Sequence, residues 1–278
     1  MRKLYVILIS VFLTGFFTLS AQWAPMGMGT LIDVSYPKSD SMNIIAVGEK
    51  GLVLKSVDGG LTWSQIQTAA KNDIKKVFFP TKQDGYFVED GWGMPDKIYK
   101  TNNAGSSWTK LPIDSIMGIH CIYFTGRDTG FVGTTWYGVY RTINGGLNWT
   151  KVGFVSDYVN GFAFQNPSAG YFVGDNRMIY KTTDFGATWM DADPIDTLFY
   201  SNYNSVYFNG MNGIIATQSG WLLKTFNGGA TWQQEWQDGM HRQIAFQTPM
   251  RGVILGDMGK YLKTIDGGAT WTLSLIHI

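Results

Sequence analysis

The chain has 278 residues, 45% of them hydrophobic and 15% aromatic, which is ample for a buried core and too apolar for a disordered segment. Its 22 basic and 21 acidic residues nearly cancel, so no strong field draws it to nucleic acid or to an anionic membrane, and nucleic acid is not an expected partner. The single cysteine, Cys121, excludes an internal disulfide and reads as a small buried hydrophobe.

Arg2 and Lys3 open the chain, an apolar run follows from Leu4 to Phe17, and Ser20-Ala21 close it with small residues. That order describes a secretory signal peptide over residues 1–21, cleaved after Ser20 or Ala21. The apolar run is shorter than the ~20 residues of a comfortable span. No transmembrane span is therefore expected after cleavage, and the mature chain belongs in the periplasm, on the cell surface or outside the cell. Loss of Arg2 and Lys3 would leave 20 basic against 21 acidic residues.

From there one unit recurs six times. It reads Ser56-Val-Asp58-Gly-Gly60-Leu-Thr62-Trp63, then Thr101-Asn-Asn103-Ala-Gly105-Ser-Ser107-Trp108, then Thr142-Ile-Asn144-Gly-Gly146-Leu-Asn148-Trp149. Thr182-Thr-Asp184-Phe-Gly186-Ala-Thr188-Trp189, Thr225-Phe-Asn227-Gly-Gly229-Ala-Thr231-Trp232 and Thr264-Ile-Asp266-Gly-Gly268-Ala-Thr270-Trp271 complete the set. The tryptophans stand 45, 41, 40, 43 and 39 residues apart, the size of a four-stranded propeller blade.

Each period supplies the strands for such a blade. An alternating segment comes first (Ile32–Tyr36, Ile74–Phe79, Ile119–Phe124, Gly161–Phe164, Ser205–Phe208, Gln243–Phe246). An apolar run follows it (Ile44–Val47, Tyr86–Val88, Gly130–Val132, Tyr171–Val173, Ile214–Ala216, Val253–Leu255). A third segment such as Leu52–Lys55 or Met178–Lys181 enters the repeated turn, and the fourth strand is expected to begin at the tryptophan. No stretch holds a helical period, so the expected class is all-β: a β-propeller of four-stranded antiparallel blades.

The repeated turn has a local logic. Asp or Asn caps it by accepting backbone N–H groups ahead, the glycines supply φ > 0, and the tryptophan packs on the blade. Asn replaces Asp at positions 103, 144 and 227, so no negative charge is required. Asp58, Gly60, Trp63, Asn103, Gly105, Trp108, Asn144, Gly146, Trp149, Asp184, Gly186, Trp189, Asn227, Gly229, Trp232, Asp266, Gly268 and Trp271 are accordingly structural.

This unit resembles the Asp-box, or bacterial neuraminidase repeat. Its fuller spelling, Tyr171-Phe-Val-Gly174 through Ile179-Tyr-Lys-Thr-Thr-Asp184-Phe-Gly-Ala-Thr-Trp189, resembles the propeller of photosystem II stability and assembly factors. The resemblance runs from about Trp23 to Trp271 and implies the fold. It is less specific for function, since sialidases, xyloglucan hydrolases and sorting receptors share the scaffold. Gln22-Trp23-Ala24-Pro25 looks like the last strand of a further blade, so the six complete repeats imply seven blades at full length. Residues 22–272 are then a propeller cut short at its C-terminus. Residues 273–278 resemble translated adapter sequence and are expected to be a non-native tail.

The sequence names no reaction. The arginines after the leader are Arg127, Arg141, Arg177, Arg242 and Arg251, and none precedes Ile-Pro as the resemblance to sialidases would require. Arg141 shares a repeat position with Lys55, Lys100, Lys181, Lys224 and Lys263, read as solvated heads on packed stems. Glycoside hydrolysis needs two carboxyls roughly 5–10 Å apart. The loop acids open to that role are Asp73, Asp114, Asp157, Asp191, Asp193, Asp196, Asp238, Glu89, Asp90, Asp96, Asp175 and Asp257, and they read better as turn residues. His120, His241 and His277 are scattered, no nucleotide fingerprint occurs, and neither metal nor cofactor is expected. The loops between blades and between second and third strands are expected to share one face, with the boxes on the other. They carry the candidate binding residues Trp92, Trp136, Tyr137, Tyr158, Tyr200, Trp221, Trp236 and His241. The reading is an exported, non-catalytic binding module for a protein or glycan partner. A secreted glycoside hydrolase and one domain of a larger adhesin are the alternatives.

Overall fold

The computed structural model describes residues 29–37, 40–113, 115–192 and 201–275. The chain divides into two compact units, residues 1–117 and residues 118–278. The first holds two blades, β1 (Leu31–Ser35), β2 (Ile44–Gly48), β3 (Val53–Ser56) and β4 (Ser64–Gln65), then β5 (Ile74–Phe78), β6 (Gly85–Glu89), β7 (Lys97–Thr101) and β8 (Thr109–Lys110). The second holds four. Its third and fourth blades are β9 (Ile119–Phe124), β10 (Gly130–Thr134), β11 (Val139–Thr142) and β12 (Thr150–Gly153), then β13 (Val159–Phe164), β14 (Gly170–Gly174), β15 (Ile179–Thr182) and β16 (Met190–Asp191). The fifth and sixth are β17 (Tyr203–Asn209), β18 (Asn212–Thr217), β19 (Trp221–Thr225) and β20 (Gln233–Trp236), then β21 (His241–Phe246), β22 (Gly252–Gly256), β23 (Lys260–Thr264) and β24 (Thr272–Leu275).

The fold is thus an all-β propeller of six four-stranded antiparallel blades, as the repeat arithmetic predicts. The inferred seventh blade and the signal peptide fall on residues outside those described. β24 runs through Leu273–Leu275, the start of the predicted tail, because a ladder bonds through backbone and accepts whatever side chains follow. Every fourth strand begins one residue after its box tryptophan rather than on it: the indole still belongs to the turn.

The second strands are the buried centre of each blade. β2, β6, β10 and β14 are buried at every position, which is why they read as continuous apolar runs. Each first strand carries a bulge near its start, after Leu31, Ile74, Ile119, Val159, Tyr203 and His241. The extra residue re-aims its side chain. In the fourth and fifth blades it is an asparagine that reaches the next blade: Asn160 donates to the Tyr203 carbonyl at 3.0 Å and Asn204 to the His241 carbonyl at 2.6 Å. Between the first two blades Asp33 accepts from Val77 N–H at 2.9 Å. Cys121 is buried, with its Sγ 3.2 Å from the Val159 carbonyl.

The box itself is one hydrogen-bonded knot repeated six times. Its opening hydroxyl (Ser56, Thr101, Thr142, Thr182, Thr225, Thr264) is buried and accepts from the second glycine's N–H at 2.8–3.0 Å. The same hydroxyl donates to Oδ1 of the Asp or Asn, whose Oδ1 also accepts the N–H four residues on. In Asp boxes the closing hydroxyl donates to the acid, as Thr62 does to Asp58 at 2.5 Å. In the second and fifth blades the amide donates instead, from Asn103 to Ser107 and from Asn227 to Thr231, both at 2.8 Å. A hydroxyl serves either direction, so Asp and Asn interchange freely.

The second glycine also joins blades. A Cβ built on Gly105 would stand 2.6 Å from Ile45 of the preceding blade, on Gly186 2.3 Å from Phe131, on Gly229 2.2 Å from Tyr171, and on Gly268 2.3 Å from Ile214. The tryptophans pack in the same seams: Trp189 meets Phe131, Phe162, Phe164 and Phe172, and Trp232 meets Tyr171 and Phe208.

Two outcomes follow. Gly186→Ala adds strain at φ 72° and a collision with Phe131, and should cost roughly 2–4 kcal/mol in urea denaturation. Gly59→Ala has φ 74° but only the Met42 sulfur near it, at 3.6 Å, and should cost about 1 kcal/mol. Separately, bonds from the Thr62 and Thr188 hydroxyls and N–H groups hold Asp58 and Asp184 at about 2, below the ordinary 3.8, and the Thr270 hydroxyl holds Asp266 lower still. A depressed carboxylate contributes stability that is complete above its ordinary pKa and lost as pH falls through the depressed value. Exchange protection of the Thr62 and Thr188 amides should therefore fall between pH 4 and about pH 2, and that of Thr270 should persist to lower pH, while that of Ser107, Asn148 and Thr231 in the Asn boxes holds.

Candidate partner-binding face

Six backbone bonds gather the irregular loops. The residue after each second strand donates its N–H to the linker entering its own blade. These bonds run from Glu49 to Thr30, Asp90 to Asp73, Thr135 to Gly118, Asp175 to Tyr158, Gln218 to Asn202 and Asp257 to Met240, at 2.8–3.2 Å. The other strand ends are tied likewise, as Gly59 N–H to Met42 and Gly228 N–H to Met211 join each box to the turn between first and second strands. Within each blade the loops and the box therefore occupy opposite ends, as predicted.

The apexes of the second-to-third strand hairpins need φ > 0, and large side chains take that position. Trp92 has φ 52°, Trp136 64°, Met258 56°, and Lys50, Asn176 and Arg177 also lie between 55° and 62°. The boxes place glycine at ten of their twelve positive-φ sites, all but Ala104 and Phe185. A left-handed non-glycine residue costs roughly 1–2 kcal/mol. Trp92, Trp136 and Met258 nevertheless stand 72%, 58% and 95% exposed, so packing does not hold them there. The strain is thus kept at exposed large side chains, as it also is at Phe185 of the fourth box, with φ 62° and 54% exposure.

In the first unit the Trp92 loop is built from acids. Glu89 is fully buried and accepts from Lys71 N–H and Asn72 N–H at 3.0 Å, Lys97 Nζ at 3.1 Å and the Tyr99 hydroxyl at 2.9 Å. Burial alone would raise its pKa, but these four donors outweigh it and hold the carboxyl below its ordinary range. Asp96 takes Gly91 N–H at 2.8 Å and Lys75 Nζ at 2.9 Å, and Asp90 caps Trp92 N–H at 2.9 Å. These residues shape the loop.

In the second unit the candidates form two groups. Trp136 meets Tyr158 edge-to-face at 6.0 Å, Tyr158 meets His120 at 5.3 Å, and Tyr137 lies exposed beside Trp136. Trp221 meets Trp236 at 5.3 Å. His241, 2% exposed, is held below the ordinary imidazole range by burial, against a bond to the Gly220 carbonyl and the charge of Asp238. Tyr200 lies outside the described residues, as do Asp114, Asp193 and Asp196. The acids here are engaged too: Asp157 with Asn176, Asp175 with Asn160, Asp238 with Lys260 and Asp257 with Arg242. Among the described residues no three His, Cys, Asp or Glu side chains group as for a metal. The repeat lysines mostly lie over rings, Lys100 on Tyr86, Lys181 on Tyr171 and Lys263 on Tyr261. Lys224 departs from its predicted solvated place: it is buried against Glu235 and the Ala269 carbonyl, bridging fifth and sixth blades.

With this geometry in hand, the sequence profile described as Photosynthesis system II assembly factor YCF48 matches residues 18–158 and 151–238. The chain belongs to this family. Among curated relatives, the chloroplastic photosystem II stability/assembly factor HCF136 of Oryza sativa subsp. japonica is 24% identical over 186 residues, 59% of this chain and 44% of the relative. The photosystem II assembly lipoprotein Ycf48 of Synechococcus sp. (strain CC9902) is 40% identical over 78 residues, 27% of this chain and 23% of the relative. The chain spans less than half the length of either. Among solved structures, YCF48 bound to D1 peptide superposes with TM-score 0.68 at 20% identity, covering 88% of this chain and 82% of the other. The Niastella koreensis GH74 enzyme gives 0.69 at 16% identity, over 87% of this chain and 46% of the other. These likenesses show the fold, and the YCF48 family match agrees with the assembly-factor resemblance read from the 171–189 segment.

Two substitutions separate strain from support in the Trp92 loop. Trp92→Gly should raise the urea midpoint by about 1 kcal/mol equivalent, because glycine takes φ 52° freely. Glu89→Gln should lower stability by about 1–3 kcal/mol, since buried donors lose their acceptor.

Proposed function

We propose that the chain is an exported, non-catalytic propeller that holds a segment of a partner protein against its loop face, in an assembly-factor-like role. The carrying observation is the set of large exposed side chains at strained hairpin apexes, Trp92, Trp136 and Met258, beside loop acids already engaged in building the loops. Aromatic anchors with a polar rim suit a protein interface. Family membership supports assembly-type work, and the solved YCF48 with a D1 peptide supports a protein over a glycan. The likeness to GH74 enzymes carries the fold alone, and hydrolysis would need a pair of uncommitted carboxyls. Export rests on Arg2-Lys3 and the apolar run after them; no helix among the described residues is long and apolar enough to cross a membrane, and the Synechococcus relative is a lipoprotein.

Photo-crosslinking residues placed in the full chain at 92, 136 and 236, and at box positions 57, 143 and 265, test this in the source cell. Protein adducts from the loop positions alone are expected, and adducts from the box positions alone would reverse the assignment of faces. Recovery of the mature chain outside the cytoplasm with Ala21 or Gln22 as its first residue is expected for export. A cytoplasmic chain still carrying Met1 would overturn it.

A further inference from the structure

The junction of the third and fourth blades allows the partner's chemistry to be narrowed, given that a protein segment is held on the loop face. Trp136 sits at a hairpin apex whose backbone is tied to the incoming linker. Thr135 N–H donates to Gly118 at 2.8 Å, Thr135 bridges Tyr158, and Trp136 N–H reaches the Asp157 carbonyl at 3.4 Å. The Trp136 and Tyr158 rings stand at 68°, and Tyr158 is backed by His120 at 83°. The result is a preset corner between two ring faces, one of them 58% exposed.

The polar groups around the corner are unequal. Asp157 already receives the Asn176 amide, and Asp175 the Asn160 amide. The Trp136 indole N–H and the Tyr158 hydroxyl bond to no other described residue. The two rings therefore present uncharged faces and two donors, with the Asp157 and Asp175 carboxylates beside them each bonded to an asparagine of the scaffold.

A ligand that fits the two rings offers carbonyl acceptors to the two donors and brings a compact apolar ring. A proline-containing segment in the polyproline II conformation matches each feature: its carbonyls make no internal hydrogen bonds, its prolines have no N–H to satisfy, and its shape exists before binding. We propose that Trp136 and Tyr158, backed by His120, form the docking corner for a proline-containing polyproline II stretch of the partner protein. Trp136 keeps its left-handed backbone at φ 64° because that apex aims the indole along the corner. Glycine would fill the same backbone without strain and present nothing.

The test is titration of the full chain with an all-proline octapeptide, a Gly-Ser octapeptide and a cello-oligosaccharide, followed by indole fluorescence and calorimetry. Saturable binding of the proline peptide is expected, with the Gly-Ser peptide about tenfold weaker. Trp136→Gly should abolish binding at equal or higher urea midpoint, and Tyr158→Phe, which keeps the ring, should weaken it several-fold. Equal binding of both peptides, lost in Trp136→Gly, would overturn the proline assignment and leave the protein-segment reading standing. Failure of the proline peptide to bind, or saccharide binding lost in Trp136→Gly, would overturn the corner's assignment, while the loop-position crosslinks judge the wider reading on their own.

Discussion

Four of the six boxes bring their second glycine close to the second strand of the blade before it, and the packing within each unit depends on that approach. At Gly105, Gly186, Gly229 and Gly268 a methyl group would stand within 2.2–2.6 Å of Ile45, Phe131, Tyr171 or Ile214. The same glycine has positive φ and gives its N–H to the buried box hydroxyl. In these four boxes one residue thus meets turn geometry, hydrogen bonding and blade-to-blade packing, while positive φ and the N–H bond are common to the glycine of all six repeats. The aspartate is more replaceable, since a neighbouring hydroxyl can accept or donate.

Fixing the blades from the box end leaves the other end free to vary. There the six linker-to-hairpin bonds use only backbone and place no demand on side chains. Lys50, Trp92, Trp136, Asn176 and Met258 occupy related apex positions with no common chemistry. Such a surface can change its ligand without changing its scaffold, which is how one fold serves assembly factors and glycoside hydrolases alike. The acids of the Trp92 loop illustrate the division. Glu89 is buried and held by four donors, and Asp96 is buried and takes the Gly91 N–H and the Lys75 ammonium, so they make a rigid pedestal for an exposed ring.

What was legible in the sequence was what is local. Capping residue, glycines, hydroxyl and indole lie within eight positions, and the apolar second strands follow from burial on both sides, so the six complete blades and their strand order could be read directly. The fourth strands were misplaced by one residue because they are short and polar: β4, β8 and β16 have two residues each, too few to show a period. The bulges at Asn160 and Asn204 leave no trace in the pattern, since their partners are carbonyls about forty residues away. Glu89 looked like an available loop acid because sequence does not show a carboxylate folded back on its own loop. Trp136 and Tyr158 were each identifiable as loop aromatics, but their meeting follows from the linker bond and the bulged strand.

The most direct test is a paired scan of folding stability and partner capture over every residue of the six boxes and the six second-to-third strand hairpins. Box substitutions should lower stability, with capture falling only as the folded fraction falls. Apex substitutions at Trp92, Trp136 and Met258 should reduce capture at unchanged or increased stability. If apex changes destabilise as strongly as box changes, with capture merely following, those side chains are part of the scaffold and the assignment of the loop face is wrong.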